Sequence, residues 1–371
     1  MTKTILAILF TILISGCSKS IKSSSEAESL DSVISRFERT LKDDLAEDNI
    51  DGSISAAIVQ DNKIIWSKAF GYSDRTSKTL ADTSTIYRTG SITKSFTAFL
   101  LMQLVQEGVV NLNDPVETYL PEVKQLKGYS ASTKITLLQL ATHTSGLSRE
   151  PELEDAAAGP IEHWEDKIIA SIPTTSFEGQ VGKNFSYSNI GYGILGLSLS
   201  RAAHKPFMEL IQDRIFTALK MNASYFKVPA NMSSHVAVGL NGGPEELETE
   251  TPNMEHAGRG YKVPNGGIYS TPNDLAKFIM AMRGHPALLS PANLKIMQTR
   301  EVSGMDNYGL GFFINKDGDL EIVNHGGAVA GYTAQLSFDR NGKFGVIIMR
   351  NYNFGETDLQ ARSSELLKAL H

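Results

Sequence analysis

Strand-like stretches stand at the two ends of this chain, with helical character between them. Residues 53–59 and 63–70 are apolar-rich runs around Gln60-Asp61-Asn62, a hairpin signal. The same character returns after Tyr308, at 309–314, 320–324, 333–338 and 344–349, with Asn341-Gly342 marking a turn before the last. Between them, 111–282 reads as mostly helical with long loops. Leu30, Val33, Ile34, Phe37, Leu41 and Leu45 recur at helical spacing, and 357–370 closes the chain as a helix. Thr271-Pro272-Asn273-Asp274 starts a helix well, with a hydroxyl cap, a proline in the first turn and an acid three residues on. Strands at both ends with helices between predict a mixed sheet domain holding a helical insertion. The expected division is an α/β part at 29–110 and 283–371 and a helical part at 111–282.

The chain has 371 residues and a formal net charge of -6, enough for a substantial core. No basic block appears, which argues against a nucleic-acid partner. The single cysteine excludes an intrachain disulfide. Its position is informative. Met1-Thr2-Lys3 gives a positive start, 5–14 is apolar except for Thr11, and Ile14-Ser15-Gly16-Cys17 follows. The apolar run is too short to span a bilayer and reads as a secretory signal. Its end resembles the bacterial lipobox, which implies a signal at 1–17 and lipidation of Cys17. Residues 18–28 are then a serine-rich tether, and the folded domain occupies 29–371. Membrane attachment through this N-terminal lipid, facing the cell envelope, is the expected location; Ser18 favours the outer membrane if the cell is Gram-negative.

Thr89-Gly90-Ser91-Ile92-Thr93-Lys94 opens an apolar helix that stops at Glu107-Gly108. A serine hydroxyl is a poor nucleophile until something takes its proton. Ser91 and Lys94 share a helix face, and burial together with the positive helix end would lower the proton affinity of the amine. Helix N-terminal N–H groups also face a developing oxyanion. A second Ser-x-x-Lys, Ser224 to Lys227, follows a helix and is blocked by Pro229, so it reads as chance. Tyr187-Ser188-Asn189 lies in a loop-like stretch. Its tyrosine can act as a phenolate base or proton shuttle, and its asparagine can orient the lysine. His325-Gly326-Gly327-Ala328 ends a strand-like run, where two glycines let a substrate backbone lie close.

In order and spacing, these three elements strongly resemble the penicillin-binding and class C β-lactamase clan of serine hydrolases. The resemblance extends from about Ile34 to Met349 and includes LLQLATHTSGL at 137–147 and PNGGIYSTPND at 264–274. It implies an α+β, β-lactamase/transpeptidase-like fold, an antiparallel sheet flanked by helices with a mostly helical second subdomain. It also implies roles. Ser91 is the acylated nucleophile, Lys94 its proton partner, and Tyr187 general base and acid. Asn189 positions Lys94 and the substrate amide, while His325, Gly327 and Ala328 bind substrate. The N–H groups of Ser91 and Ala328 form the oxyanion hole. Where many relatives have Lys-Thr-Gly, this chain has His325-Gly326-Gly327. Histidine is charged only part of the time near neutral pH, so slow β-lactam turnover is expected; D-amino-acid peptides, or β-lactams recognised as their mimics, are the expected substrates, with hydrolysis of an amide or ester bond. A carboxylesterase on the same scaffold is the alternative, and a lipoprotein that binds wall peptides or a partner without catalysis is a reading of another class.

Other motifs carry less. His143 in THTSGL reads as structural. Gly191-Tyr192-Gly193-Ile194-Leu195-Gly196 matches a dinucleotide fingerprint but lacks the preceding strand, so it reads as helix packing. No Gly-x-Ser-x-Gly or His-Glu-x-x-His occurs, and no metal or organic cofactor is implied. Selectivity is expected in the loops at 149–166 and 242–261. The sequence leaves the oligomeric state open.

Overall fold

The computed structural model describes residues 28–243, 246–300 and 307–371. The expected signal with Cys17, and the tether up to residue 27, lie outside the described residues. Helix α1 (Leu30–Asp48) opens the fold, its first turn capped by the Ser29 hydroxyl, which accepts from the Ser32 N–H. Strands β1 (Ser53–Gln60), β2 (Lys63–Asp74) and β3 (Thr79–Leu80) follow, with Asp61-Asn62 as the tight turn between the first two. Strand β4 (Tyr87–Arg88) leads into a short turn, Gly90–Ile92, and then helix α2 (Thr93–Gln106). A run of short helices ends at β5 (Tyr269–Ser270), which pairs with β4. Strands β6 (Phe313–Asp317), β7 (Leu320–Val329), β8 (Tyr332–Asp339) and β9 (Phe344–Arg350) precede the closing helix, Leu359–Leu370.

Seven strands form one antiparallel sheet in the order β3-β2-β1-β9-β8-β7-β6. The two ends of the chain meet at its centre, with Ile54 opposite Arg350 and Gln60 opposite Phe344. The apolar runs of β1 and β9 are continuous because helices cover both faces of the sheet. Ile54, Ile58, Val346 and Ile348 pack with Phe37, Leu41, Leu366 and Leu367 of the outer helices. Ala57, Val59, Ile347 and Met349 point the other way, into the core shared with α2. This is the expected α+β architecture.

Three local expectations differ from what the chain adopts. The helix Pro272–Met282, placed by sequence in the helical part, packs on β1 and β9 through its buried apolar face; Thr271 caps it as expected, accepting from the Asp274 N–H. The strand expected at 309–314 starts only at Phe313. Gly311 takes φ +74° and turns its carbonyl to the Ser95 hydroxyl at 2.6 Å, so this stretch braces α2 instead of joining the sheet. Strand β7 does not stop at His325. It runs through Gly326 and Gly327 to Val329, paired with β8 throughout.

Helix α2 is buried on every side from Thr93 to Leu104. Such a helix lies at the centre of a fold rather than on its surface. Lys94 is therefore fully enclosed and cannot reach water along its stem.

Candidate active site

Ser91 lies on the 3₁₀ turn ahead of α2. Thr89 anchors that turn, since its N–H and its hydroxyl each donate to the Ile268 carbonyl at 3.0 Å. Gly90 holds φ +52°, a conformation that favours glycine. Strand β7 crosses the turn at close range. A Cβ on Gly90 would stand 2.7 Å from the Ala328 nitrogen, and one on Gly327 would stand 1.9 Å from the Thr89 carbonyl oxygen and 3.1 Å from the Ser91 nitrogen. Two glycines, on two distant segments, thus let Ala328 approach Ser91.

One turn into the helix, Lys94 Nζ lies 3.0 Å from Ser91 Oγ, 2.8 Å from Asn189 Oδ1 and 3.1 Å from the Asn265 carbonyl oxygen. Burial drives the pKa of this amine well below the usual lysine range. Glu150 opposes the fall, while Arg259, Arg149 and Lys262 deepen it. Burial thus favours the neutral amine, the form with an available lone pair.

Tyr187 stands against both groups. Its hydroxyl lies close enough to Ser91 to influence its own ionisation, and Lys94 Nζ sits 4.7 Å from its ring centre. Burial pushes the phenol up to about 12, so Tyr187 is a neutral hydroxyl near pH 7 rather than a phenolate. His143 stacks on the other side of its ring, 4.2 Å between centres, and accepts the Ser188 N–H at Nδ1 over 3.0 Å. This matches the structural role read for His143. Ser188 caps the helix Asn189–Ala202, which places Asn189 at its first position, aimed at Lys94. The glycines of the dinucleotide-like motif lie within this helix, where Gly196 meets Pro264 and Gly193 meets Tyr261.

His325 is buried, and burial lowers its pKa to about 3, with Lys94 adding to the effect. The partial positive charge expected of it is therefore absent near neutral pH. Its Nδ1 lies 2.7 Å from the Gly326 carbonyl, and Nε2 faces the Tyr308 hydroxyl at 3.4 Å. A cleft of about 520 Å³ runs over these groups, lined by Ser91, Arg149, Tyr187, His325, Gly327 and Ala328 among others. It gathers Ser91, Tyr187 and the β7 residues, while Lys94 and Asn189 lie beneath its floor. The second Ser-x-x-Lys is far from this chemistry. Ser224 bonds Asp274 at 3.0 Å, and Lys227 pairs with exposed Glu162.

Sequence reading missed three contributors, Glu150, Asn265 and Arg149. Glu150 accepts the Asn189 amide at 2.6 Å and pairs with Lys262 at 3.3 Å. Asn265 offers Lys94 its backbone carbonyl and donates its own amide to the Asn189 carbonyl at 3.0 Å. Arg149 reaches over Tyr187, 5.0 Å from the ring centre. Their signal was weak: Glu150 trails the THTSGL stretch and Asn265 sits inside PNGGIYSTPND, yet neither sequence position announces a partner.

A serine on a glycine-bearing turn, an enclosed lysine beneath it and a glycine-bearing strand above define a serine hydrolase scaffold. The Beta-lactamase family model matches residues 37–371, and this chain belongs to that family. Protein flp of Staphylococcus aureus (strain N315) is 27% identical over 324 residues, 86% of this chain and 63% of that protein. Beta-lactamase-like protein 4 of Dictyostelium discoideum is 27% identical over 341 residues, 84% of this chain and 58% of the relative. The chain thus spans less than two thirds of either relative. Among solved structures, an octameric penicillin-binding protein homologue from Pyrococcus abyssi superposes with TM-score 0.75 at 25% identity, covering 91% of this chain and 77% of the other. FmtA from Staphylococcus aureus has the same fold, with TM-score 0.75 at 24% identity and coverage of 92% and 90%.

Proposed function

We propose that this chain is a serine hydrolase that forms an acyl-enzyme on Ser91 and cleaves amide or ester bonds, with peptides ending in a D-amino acid as the favoured substrates. The observation that carries this reading is the enclosed Lys94 at 3.0 Å from Ser91 Oγ, where burial favours the neutral amine. In the first step the Ser91 proton moves to Lys94 Nζ as Oγ bonds the substrate carbonyl carbon. The oxyanion that forms faces the N–H groups of Ser91 and Ala328. The proton then passes through the Tyr187 hydroxyl to the leaving nitrogen or oxygen, and the carbonyl bond to that atom breaks. Water attacks the ester, returns a proton through the same groups and frees Ser91. Tyr187 works here as a shuttle, because its phenol is held neutral.

The neutral His325 and the missing side chain at Gly326 leave the third motif without a cation, which supports slow β-lactam turnover and keeps an esterase as the second reading. Arg149 bears on the choice. Its side chain is 65% exposed, lines the cleft and lies 3.9 Å from its nearest carboxylate. Arg350, also in the lining, is tied to Thr333 at 2.6 Å and buried. Arg149 is thus placed to meet a substrate carboxylate. Replacing Arg149 by Gln should cut the preference for a D-Ala-D-Ala peptide over its C-terminal amide about ten- to a hundredfold. An unchanged preference in paired rate measurements would remove Arg149 from substrate recognition.

Intact-mass measurement after incubation with a fluorescent penicillin and with a p-nitrophenyl ester tests the hydrolase reading. A mass gain located on the tryptic peptide 89–94 is the expected result. No adduct and no ester cleavage would favour a binding protein without catalysis.

A further inference from the structure

We propose that Glu150 is a positioning residue: by fixing which end of the Asn189 amide faces Lys94, it directs the Lys94 lone pair at Ser91. The proposal rests on the hydrolase reading above. A neutral amine has two N–H bonds and one lone pair. Around Lys94 Nζ stand Asn189 Oδ1 at 2.8 Å, the Asn265 carbonyl at 3.1 Å and Ser91 Oγ at 3.0 Å. Two acceptors consume both N–H bonds, and the lone pair is left for the serine hydroxyl.

The Asn265 group is a backbone carbonyl and can only accept. Asn189 is different, because its amide has nearly the same shape after a half-turn. Turned the other way, Nδ2 would donate to the Lys94 lone pair and leave nothing to take the Ser91 proton. Glu150 prevents this. Its Oε1 lies 2.6 Å from Asn189 Nδ2, and a carboxylate only accepts. Lys262 holds the other carboxylate oxygen at 3.3 Å, which ties the arrangement to a second element of the fold. Glu150 is not among the residues lining the cleft and acts through Asn189.

The same carboxylate sets the charge around Lys94. Glu150 is the negative group facing that amine; Arg149, Arg259 and Lys262 are the positive ones, and Tyr187, Tyr192, His143 and His325 are the titratable rings packed near it. The acid limb of kcat/KM reports deprotonation of Lys94 in the free enzyme. Glu150→Gln keeps an acceptor for Asn189 but removes the charge that favours the ammonium, so Lys94 loses its proton more easily and the limb moves to lower pH. Lys262→Met removes a like charge, so the limb moves to higher pH. Each displacement should be about half a pH unit or more at low salt.

The experiment measures pH profiles for p-nitrophenyl ester hydrolysis by the full chain and by Glu150→Gln, Lys262→Met and Glu150→Ala. Thermal melts accompany each variant to confirm folding. Glu150→Ala, which leaves the Asn189 amide free to turn, should lower kcat at least about tenfold with a smaller change in KM. Opposite displacements for the two charge variants, together with that fall in kcat, support the proposal. A normal kcat in Glu150→Ala, or limbs that move together or stay fixed, overturns it while leaving the hydrolase reading intact. Absence of turnover and of any adduct in the wild-type protein overturns both.

Discussion

Lys94→Met is expected to slow acylation of Ser91 by about 10²- to 10⁴-fold, the contribution of a well-placed general base. Lys94→Arg should do no better, because a guanidinium stays charged and has no lone pair to offer. Stopped-flow acylation with an activated ester measures both; a Lys94→Met rate within tenfold of wild type would exclude the amine as the base. The same substitution should stabilise the fold. Lys94 binds fewer protons folded than unfolded between its depressed folded pKa and the ordinary value of 10.5. Wild-type stability therefore rises with pH across that window, and enclosing the amine costs most below it. Methionine lacks this slope. The Tm of Lys94→Met should exceed that of wild type near neutral pH, with the gap narrowing as pH approaches 10.5. A gap that widens with pH would contradict the assignment.

Gly327→Ala is expected to reduce acylation by at least about 10²-fold, comparable to loss of an oxyanion donor. The added Cβ would stand 1.9 Å from the Thr89 carbonyl oxygen, a backbone atom that cannot swing aside. Strand β7 must then retreat from the turn carrying Ser91, and Ala328 moves with it. Gly326→Ala is the informative partner. Its Cβ would meet the end of the Gln335 side chain at 3.0 Å, a side-chain atom and not backbone, so a smaller change is expected than at Gly327. Acylation rates for the two variants, read beside their circular dichroism spectra, separate a local effect from unfolding. Equal rates in both would show that close approach at Gly327 is not needed.

Much of this architecture was legible before folding because it rests on covalent spacing. Ser91 and Lys94 share a helix turn, and Tyr187 and Asn189 flank one cap. The sheet could be inferred from apolar runs at both ends, since β1 and β9 are covered on both faces. What escaped depends on atoms that sequence does not advertise. Asn265 serves Lys94 through a main-chain oxygen, which every residue type possesses. Glu150 matters because a fold brings it to an amide 39 positions away. The glycines of β7 argue against strand by propensity, yet pairing with β8 overrides them. The charge of His325, and the choice of shuttle over phenolate for Tyr187, could not be read from residue type, because burial sets them.

Because the second neighbour of β1 is β9, an emerging polypeptide holds its first long hairpin without the strand that completes the central ladder until nearly all of the remaining chain exists. Assembly must close one very large loop before the turn carrying Ser91 can be clamped between α2 and β7, which places this protein among slow, topology-limited folders. Chain interruptions ahead of β9 would yield not a smaller domain but a hairpin with an exposed, sticky edge.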